Sequence, residues 1–308
     1  FDNVLKRYAT DYKRFAATAI SRGYSLVILW APGGVNILLI LQTTEVSWVD
    51  IFFPGFILSM MGIGLSLLME RSRLSTHKLE SGKILHQPEN EMTISDALKK
   101  MFEVFAVIVG LIVLMVVFDW TGFATSTTRI LFSGLIVVGL WLWHLRNQPG
   151  LRQELEDYWN VGLLKTMDLS ALFICLGLFS NSVLRSNLLA YAQPVFAEMT
   201  AFWGPSILLL GTPPIIVLCA VMGLHPFVSL VILGQMIVGM DLGAPRLPLA
   251  LALSLGGALS YIVSPFAGIV LTLSRFLDSR PTDIAWRWNW QYCIIYLVLG
   301  IFFIVMTQ

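Results

Sequence analysis

LALALSLGGALSYIVSPFAGIVLTLSRFLDSRPTDI, residues 249–284, is an apolar stretch broken in its middle by Ser264-Pro265. A proline removes a backbone donor and its ring clashes with the preceding turn, so a helix over 249–274 is expected to be interrupted, or else simply kinked, there. The same layout occurs earlier at a constant offset of 233 residues (32 to 265) in AATAISRGYSLVILWAPGGVNILLILQTTEVSWVDI, residues 16–51, where Pro32-Gly33-Gly34 makes the break. Ala17/Ala250, Ala19/Ala252, Ser21/Ser254, Gly23/Gly256, Leu26/Leu259, Pro32/Pro265, Leu38/Leu271, Asp50/Asp283 and Ile51/Ile284 match without a gap. Alanine and leucine coincide by chance in apolar segments, so the Gly, Pro and Asp matches carry the weight. Each segment has a glycine-bearing half, a proline break, an apolar half, a short loop and an Asp before the next span. This pattern predicts an internal repeat.

The rest of the chain fits a lipid-facing protein. Of 308 residues, 56% are hydrophobic and 13% charged, whereas a soluble domain carries about a quarter charged residues. Net charge is +1, which gives no electrostatic footprint for nucleic acid. Cys175, Cys219 and Cys293 stand alone in apolar runs, without metal or redox spacing. No P-loop, zinc spacing or nucleophile elbow occurs, so no enzyme and no metal site is expected.

Hydrophobic runs predict an all-α, polytopic membrane protein of about nine helical segments. These cover 15–42 (interrupted), 50–69, 101–118, 128–145, 166–182, 201–222, 225–240, 249–274 (interrupted) and 290–307. Basic residues fall on alternate sides. Arg71, Arg73, Lys78, Lys83, Lys99 and Lys100 lie in the polar stretch 70–100, and Arg146, Arg152 and Lys165 in 146–165. The connections 119–128 and 43–49 carry no Lys or Arg until Arg129. Under the positive-inside rule both basic loops are cytoplasmic, as is the stretch with Lys6, Arg7, Lys13 and Arg14, and the C-terminus lies outside. The loop after the first broken segment is then outside and the loop after the second inside, so the two copies cross in opposite senses. Residues 1–70 read as the end of a first inverted repeat, 71–100 as a linker and 101–308 as the second repeat.

Paired breaks in inverted repeats are where transporters bind their solutes. Unwound backbone at membrane depth is tolerated only where it lines a cavity or is buried in protein. Gly33, Gly34, Asn36, Gly256, Gly257, Ser260 and Ser264 are therefore candidate solute contacts, with Pro32 and Pro265 as the helix breaks. Arg22 has only small or apolar neighbours for a turn on either side. Such an Arg marks an anion path or else snorkels. Gly223-Leu224-His225-Pro226-Phe227-Val228-Ser229 reads as the tip of a re-entrant hairpin offering His225 and Ser229, or as a break held by a structural histidine. Ser180-Asn181-Ser182 with Arg185-Ser186-Asn187 reads as an interfacial loop, and Trp286, Trp288 and Trp290 as an interfacial belt.

GLHPFVSLVIL (223–233) followed by LALSLGGALSYIVSPFAGIVLTLSRFL (251–277) resembles the second repeat of the ion transporter superfamily. That group includes divalent-anion/sodium symporters, citrate carriers, arsenite permeases and the large membrane subunits of TRAP transporters. The segment 20–68 resembles the matching broken helix and span of the first repeat. The Ser-Asn-Thr tips of the dicarboxylate symporters are absent, and Trp30-Ala31-Pro32 stands where the family often has a hydroxyl residue before proline. The resemblance implies a first hairpin whose tip would precede Phe1, and hence roughly 100–130 upstream residues by the logic of paired repeats.

The expected function is a secondary transporter (a permease or symporter) that carries a small anionic solute with Na⁺ or H⁺. The alternative is an accessory or structural subunit that retains a degenerate transporter fold. No cofactor is implied beyond a bound Na⁺. The expected partners are the lipid bilayer, an anion, and a second copy or a membrane-complex subunit. The expected location is the bacterial inner (plasma) membrane. Cysteines introduced at Lys83 and Arg152 should react with an impermeant maleimide only in inside-out vesicles, and one at Gln308 only in right-side-out vesicles. Any exchange of sides would overturn the sidedness.

Overall fold

The computed structural model describes residues 12–74, 94–147, 150–164, 167–186 and 188–308, and among these the regular elements are all helices. Lys6, Arg7, Lys78, Lys83, Lys165 and Asn187 lie outside the described residues. The chain forms α1 (Tyr12–Val27), α2 (Val35–Thr44), α3 (Trp48–Leu74), α4 (Ile94–Trp120), α5 (Ser126–Leu145) and α6 (Leu151–Asp157). It continues as α7 (Met167–Arg185), α8 (Leu188–Trp203), α9 (Ser206–Val221), α10 (Pro226–Met240), α11 (Arg246–Val263), α12 (Gly268–Phe276) and α13 (Trp290–Met306). Four stretches are long and apolar enough to cross a membrane: Trp48–Arg71, Met101–Trp120, Ser126–Leu145 and Arg246–Phe276. Two compact units result, one from Phe1–Glu91 with Val195–Gln308 and one from Met92–Pro194. Residues 12–74 thus share a unit with residues 195–308.

In the larger unit α11 is the axis. Every residue from Pro248 to Ile262 is buried, because α1, α2, α3, α9, α10 and α13 all pack on it. Small side chains make that crowding possible, since association in lipid rests on close backbone approach rather than on a hydrophobic drive. A Cβ on Gly256 would sit 3.0 Å from the Pro213 Cα of α9, and one on Gly300 of α13 would sit 2.6 Å from Leu255.

Contacts fix the direction of each helix. The Tyr292 and Tyr296 hydroxyls donate to the Gly62 and Leu58 carbonyls, so α3 and α13 are antiparallel. Leu26 meets Gly62 while Arg22 meets Glu70, so α1 and α3 are antiparallel. Leu255 meets Gly300 while Val263 meets Trp286, which sets α11 against α13. It follows that α1 and α11 run in opposite senses, as do their successors α3 and α13. On the other side, Ser260 and Ser264 donate to the Ile216 and Ala220 carbonyls, so α9 is parallel to α11. Gly234 of α10 faces Leu253 and Thr43, whereas Gly257 faces Leu230 and Asn36. Thus α10 is antiparallel to α11 and parallel to α2. At 16 and 15 residues, α9 and α10 are about 24 and 22 Å long, short of the roughly 30 Å of hydrocarbon.

The two prolines stop their helices outright. Helical structure lapses over 28–34 and again over 264–267. It resumes at Val35 and Gly268, two positions separated by the sequence offset of 233 (35 to 268). In each half a tryptophan indole donates to a carbonyl at the break: Trp48 to Trp30 at 3.0 Å and Trp286 to Val263 at 3.1 Å. The two acceptors again lie 233 residues apart (30 to 263). Trp286, read from sequence as part of an interfacial belt, therefore also satisfies a carbonyl freed by the break. It sits in a π-helical turn, Asp283–Arg287, that has no equivalent before Trp48.

The smaller unit contains the α4–α5 hairpin, closed at its turn by an ion pair between Arg129 and Asp119 and by Arg129 donation to the Phe123 and Ala124 carbonyls. The Ser180–Ser182 region lies in α7 rather than in a loop, with Asn181 and Ser182 bonded back to the Gly177 and Leu178 carbonyls. A helix at Leu188–Trp203 was not expected, because Gln193 and Glu198 interrupt its hydrophobicity. It ends at Gly204, whose φ of 76° favours glycine, followed by Pro205.

Substituting Gly256→Leu should lower stability by about 1–3 kcal/mol through overpacking against the α9 backbone. Gly110→Leu, at a glycine of α4 with open space around it, should leave the unfolding temperature in detergent nearly unchanged.

Candidate functional site

The two breaks and the tip between α9 and α10 meet around the lower half of α11. The Tyr261 ring lies 6.2 Å from Tyr24 of α1, 6.5 Å from His225 and 6.4 Å from Phe227, all edge-on. Gly223 of the tip faces Phe266 of the second break at 3.7 Å. The Ser264 hydroxyl donates to Ala220 and accepts from the Phe266 N–H, which fastens that break to the end of α9. His225 caps α10, its Nδ1 accepting from the Phe227 N–H.

Asn36, in the first turn of α2, is the central polar group. It is 3% exposed; its amide makes no close hydrogen bond, and its polar contact is with the Tyr261 phenol. The Nδ2 atom lies 3.4 Å from where a Gly257 Cβ would be. Glycine at 257 therefore leaves room for the amide. Ser229 of α10 and Ser254 of α11 are also buried with unbonded hydroxyls. Ser254, Gly257 and Tyr261 share one face of α11 by their spacing. A buried polar group without a close hydrogen bond costs on the order of 1–3 kcal/mol, so such an atom in a native fold calls for an explanation.

Helix ends add to this polarity. α2 and α10 are parallel neighbours, so their positive N-terminal ends point the same way. α2 has no side-chain cap at Gly34, which leaves its first-turn N–H groups available. Gly33 is exposed with open space around it.

The structure thus brings Gly33, Gly34, Asn36, His225, Ser229 and Gly257 to one region. Gly256, Ser260 and Ser264 lie instead on the α9 face, where Ser260 bonds the Gly256 and Ile216 carbonyls. Tyr24 and Tyr261 belong to the site but were not singled out from sequence. Tyr24 and Tyr261 precede the two breaks at positions that do not correspond under the 233 offset.

Arg22 is elsewhere. Its guanidinium, 1% exposed, donates to the Asn289 amide oxygen at 2.8 Å, the Ser66 hydroxyl at 3.0 Å, Glu70 at 3.1 Å and the Trp288 carbonyl at 3.3 Å. It also lies 4.5 Å over the Tyr292 ring. Glu70 additionally pairs with Arg14 at 3.5 Å. An anion arriving at Arg22 would have to displace a carboxylate already in place. The arrangement ties α1, α3 and the start of α13 together.

Among the described residues no group of three or more His, Cys, Asp or Glu could hold a metal. No family model, no curated protein and no solved structure matches the chain.

Removing Glu70 leaves the buried Arg22 charge without its carboxylate, and removing Arg22 leaves Glu70 with Arg14 at 3.5 Å. Arg22→Met or Glu70→Leu alone should cost about 3–5 kcal/mol, while the double variant recovers most of it. Chemical unfolding in detergent measures all three. If Arg22→Met proved as stable as the parent, the clamp assignment would fail and a solute-binding role would return.

Proposed function

We propose that the protein is a secondary transporter of the membrane, carrying a small anionic solute by alternating access around the region of Asn36 and Tyr261. One observation carries this reading: two interrupted helices of opposite sense and a short helical hairpin bring unbonded, buried polar atoms together. The breaks, the restarts at Val35 and Gly268 and the matched tryptophan acceptors support two inverted repeats. Opposite directions in α1 and α11, and in α3 and α13, are what inversion requires. The lengths of α9 and α10 suit a re-entrant hairpin with His225 at its tip.

Chemistry at the site favours an anion over a bare cation. Two helix N-termini present positive ends there, and the Asn36 amide can donate. Arg22 holds the scaffold rather than the solute. Coupling to Na⁺ or H⁺ would act by changing which side of the breaks is open. A structural subunit would gain nothing from buried amide and hydroxyl groups without close hydrogen bonds, so the transporter reading accounts for more of the molecule.

Alternating access can be tested without knowing the solute. In a variant lacking Cys175, Cys219 and Cys293, single cysteines at Tyr24, Gly33 or His225 should react with an impermeant maleimide in both right-side-out and inside-out vesicles. Changing Na⁺ or pH should alter the ratio of the two rates. Labelling from one side only under every ionic condition would sink the proposal.

A further inference from the structure

Resting on the transporter reading of this same site, we infer that its solute is a monoanion with a planar apolar body, an aromatic monocarboxylate being the simplest case, and not a dianion. The charge available decides the first half. Each helix N-terminus is equivalent to roughly half an elementary charge, so α2 and α10 together offset about one. Among the described residues no Lys or Arg takes part in the contacts of Asn36, Tyr261, Tyr24 or His225. The one buried arginine nearby in sequence, Arg22, is held by Glu70 and Asn289. A second carboxylate would find no arginine or lysine among those contacts.

The buried donors place the single anionic group. Asn36 is more than nine-tenths buried, its Nδ2 turned toward Gly257, and Ser229 is 4% exposed with its hydroxyl unbonded. Both belong to the N-terminal halves of the two parallel helices. An oxyanion at the uncapped first turn of α2 would accept from the Asn36 amide in place of its Tyr261 contact.

The aromatic rings place the rest of the molecule. Directly beyond Asn36 lies Tyr261, with the rings of Phe227, His225 and Tyr24 each meeting it at 6.2–6.5 Å and at a steep angle. Tyr24 is 51% exposed, so this cluster opens outward at its rim. Edge-on aromatic surfaces favour another flat ring over a flexible polar chain.

Equilibrium binding to the full chain in nanodiscs tests this with three probes: benzoate, succinate and benzyl alcohol. Benzoate should bind saturably, roughly tenfold or more tighter than either succinate or benzyl alcohol, the factor expected for a hydrogen-bonded charge. Asn36→Ala should weaken benzoate about tenfold with little effect on benzyl alcohol, and Tyr261→Ala should weaken both aromatic probes. Succinate binding as tightly as benzoate, or benzoate no tighter than benzyl alcohol, would overturn the inference. So would failure of all three to bind. In each of these cases the two-sided cysteine labelling would still decide the transporter reading by itself. Circular dichroism of each variant separates lost binding from lost folding. Asn36→Asp offers an independent check: once shown to be folded, that variant should reject benzoate, because it sets a carboxylate where the anion must sit.

Discussion

Complete enclosure of α11 is the constraint on which the larger unit depends. A helix in lipid normally keeps one side for the bilayer, and its side chains can be large there. From Pro248 to Ile262 this helix has no such side. Six neighbours must approach it, which requires Gly256, Gly257, Ala250, Ala252, Ala258 and three serines along a short length. The hydroxyls then do two different jobs. Ser260 and Ser264 bond carbonyls of α9 and so lock a parallel helix pair. Ser254 faces inward with no partner.

Each proline break needs partners of its own. Interrupting a helix frees carbonyls and N–H groups that lipid cannot satisfy. Here indole N–H groups from Trp48 and Trp286 reach one carbonyl apiece at the breaks, while Gly33 and Phe266 are exposed. The two halves are not equivalent, however. Trp48 is almost fully buried, whereas Trp286 is 44% exposed and rides on a π-helical turn. A bond at the surface is more readily exchanged for water than one inside, but at the second break Ser264 adds bonds to the Ala220 carbonyl and the Phe266 N–H.

Much of this was legible in sequence because prolines and glycines act locally. Pro32 and Pro265 coincide with breaks, whereas Pro54, Pro194, Pro213 and Pro214 lie inside helices, and the ungapped offset relates the two restarts. Side-chain partnership is a different matter. Arg22 looked like an anion ligand because its sequence neighbours are apolar, but its partners Ser66, Glu70 and Asn289 come from α3 and from the residue preceding α13. Gly256 and Gly257 are adjacent and indistinguishable by composition. A rotation of about 100° per residue sends one to the α9 backbone and the other to Asn36. Likewise Tyr24 and Tyr261 resemble any aromatic in a span until the opposed directions of α1 and α11 set them edge to edge.

The separation between Arg22 and Asn36 bears on how such a protein can move. A strong buried ion pair at the substrate site would have to be broken and remade in every cycle, at a cost of several kcal/mol. The Arg22–Glu70 pair is buried apart from Asn36, where it binds α1 to α3 and the start of α13. The site itself then contains groups of modest individual energy: an amide, a few hydroxyls, helix ends and ring edges. Weakly held groups are what a site needs if it must bind a solute on one side and release it on the other. A scaffold fastened by Arg22 and a cradle of weakly held groups at Asn36 are thus complementary features, with α1 carrying the first and α2, across the break at Pro32, carrying the second.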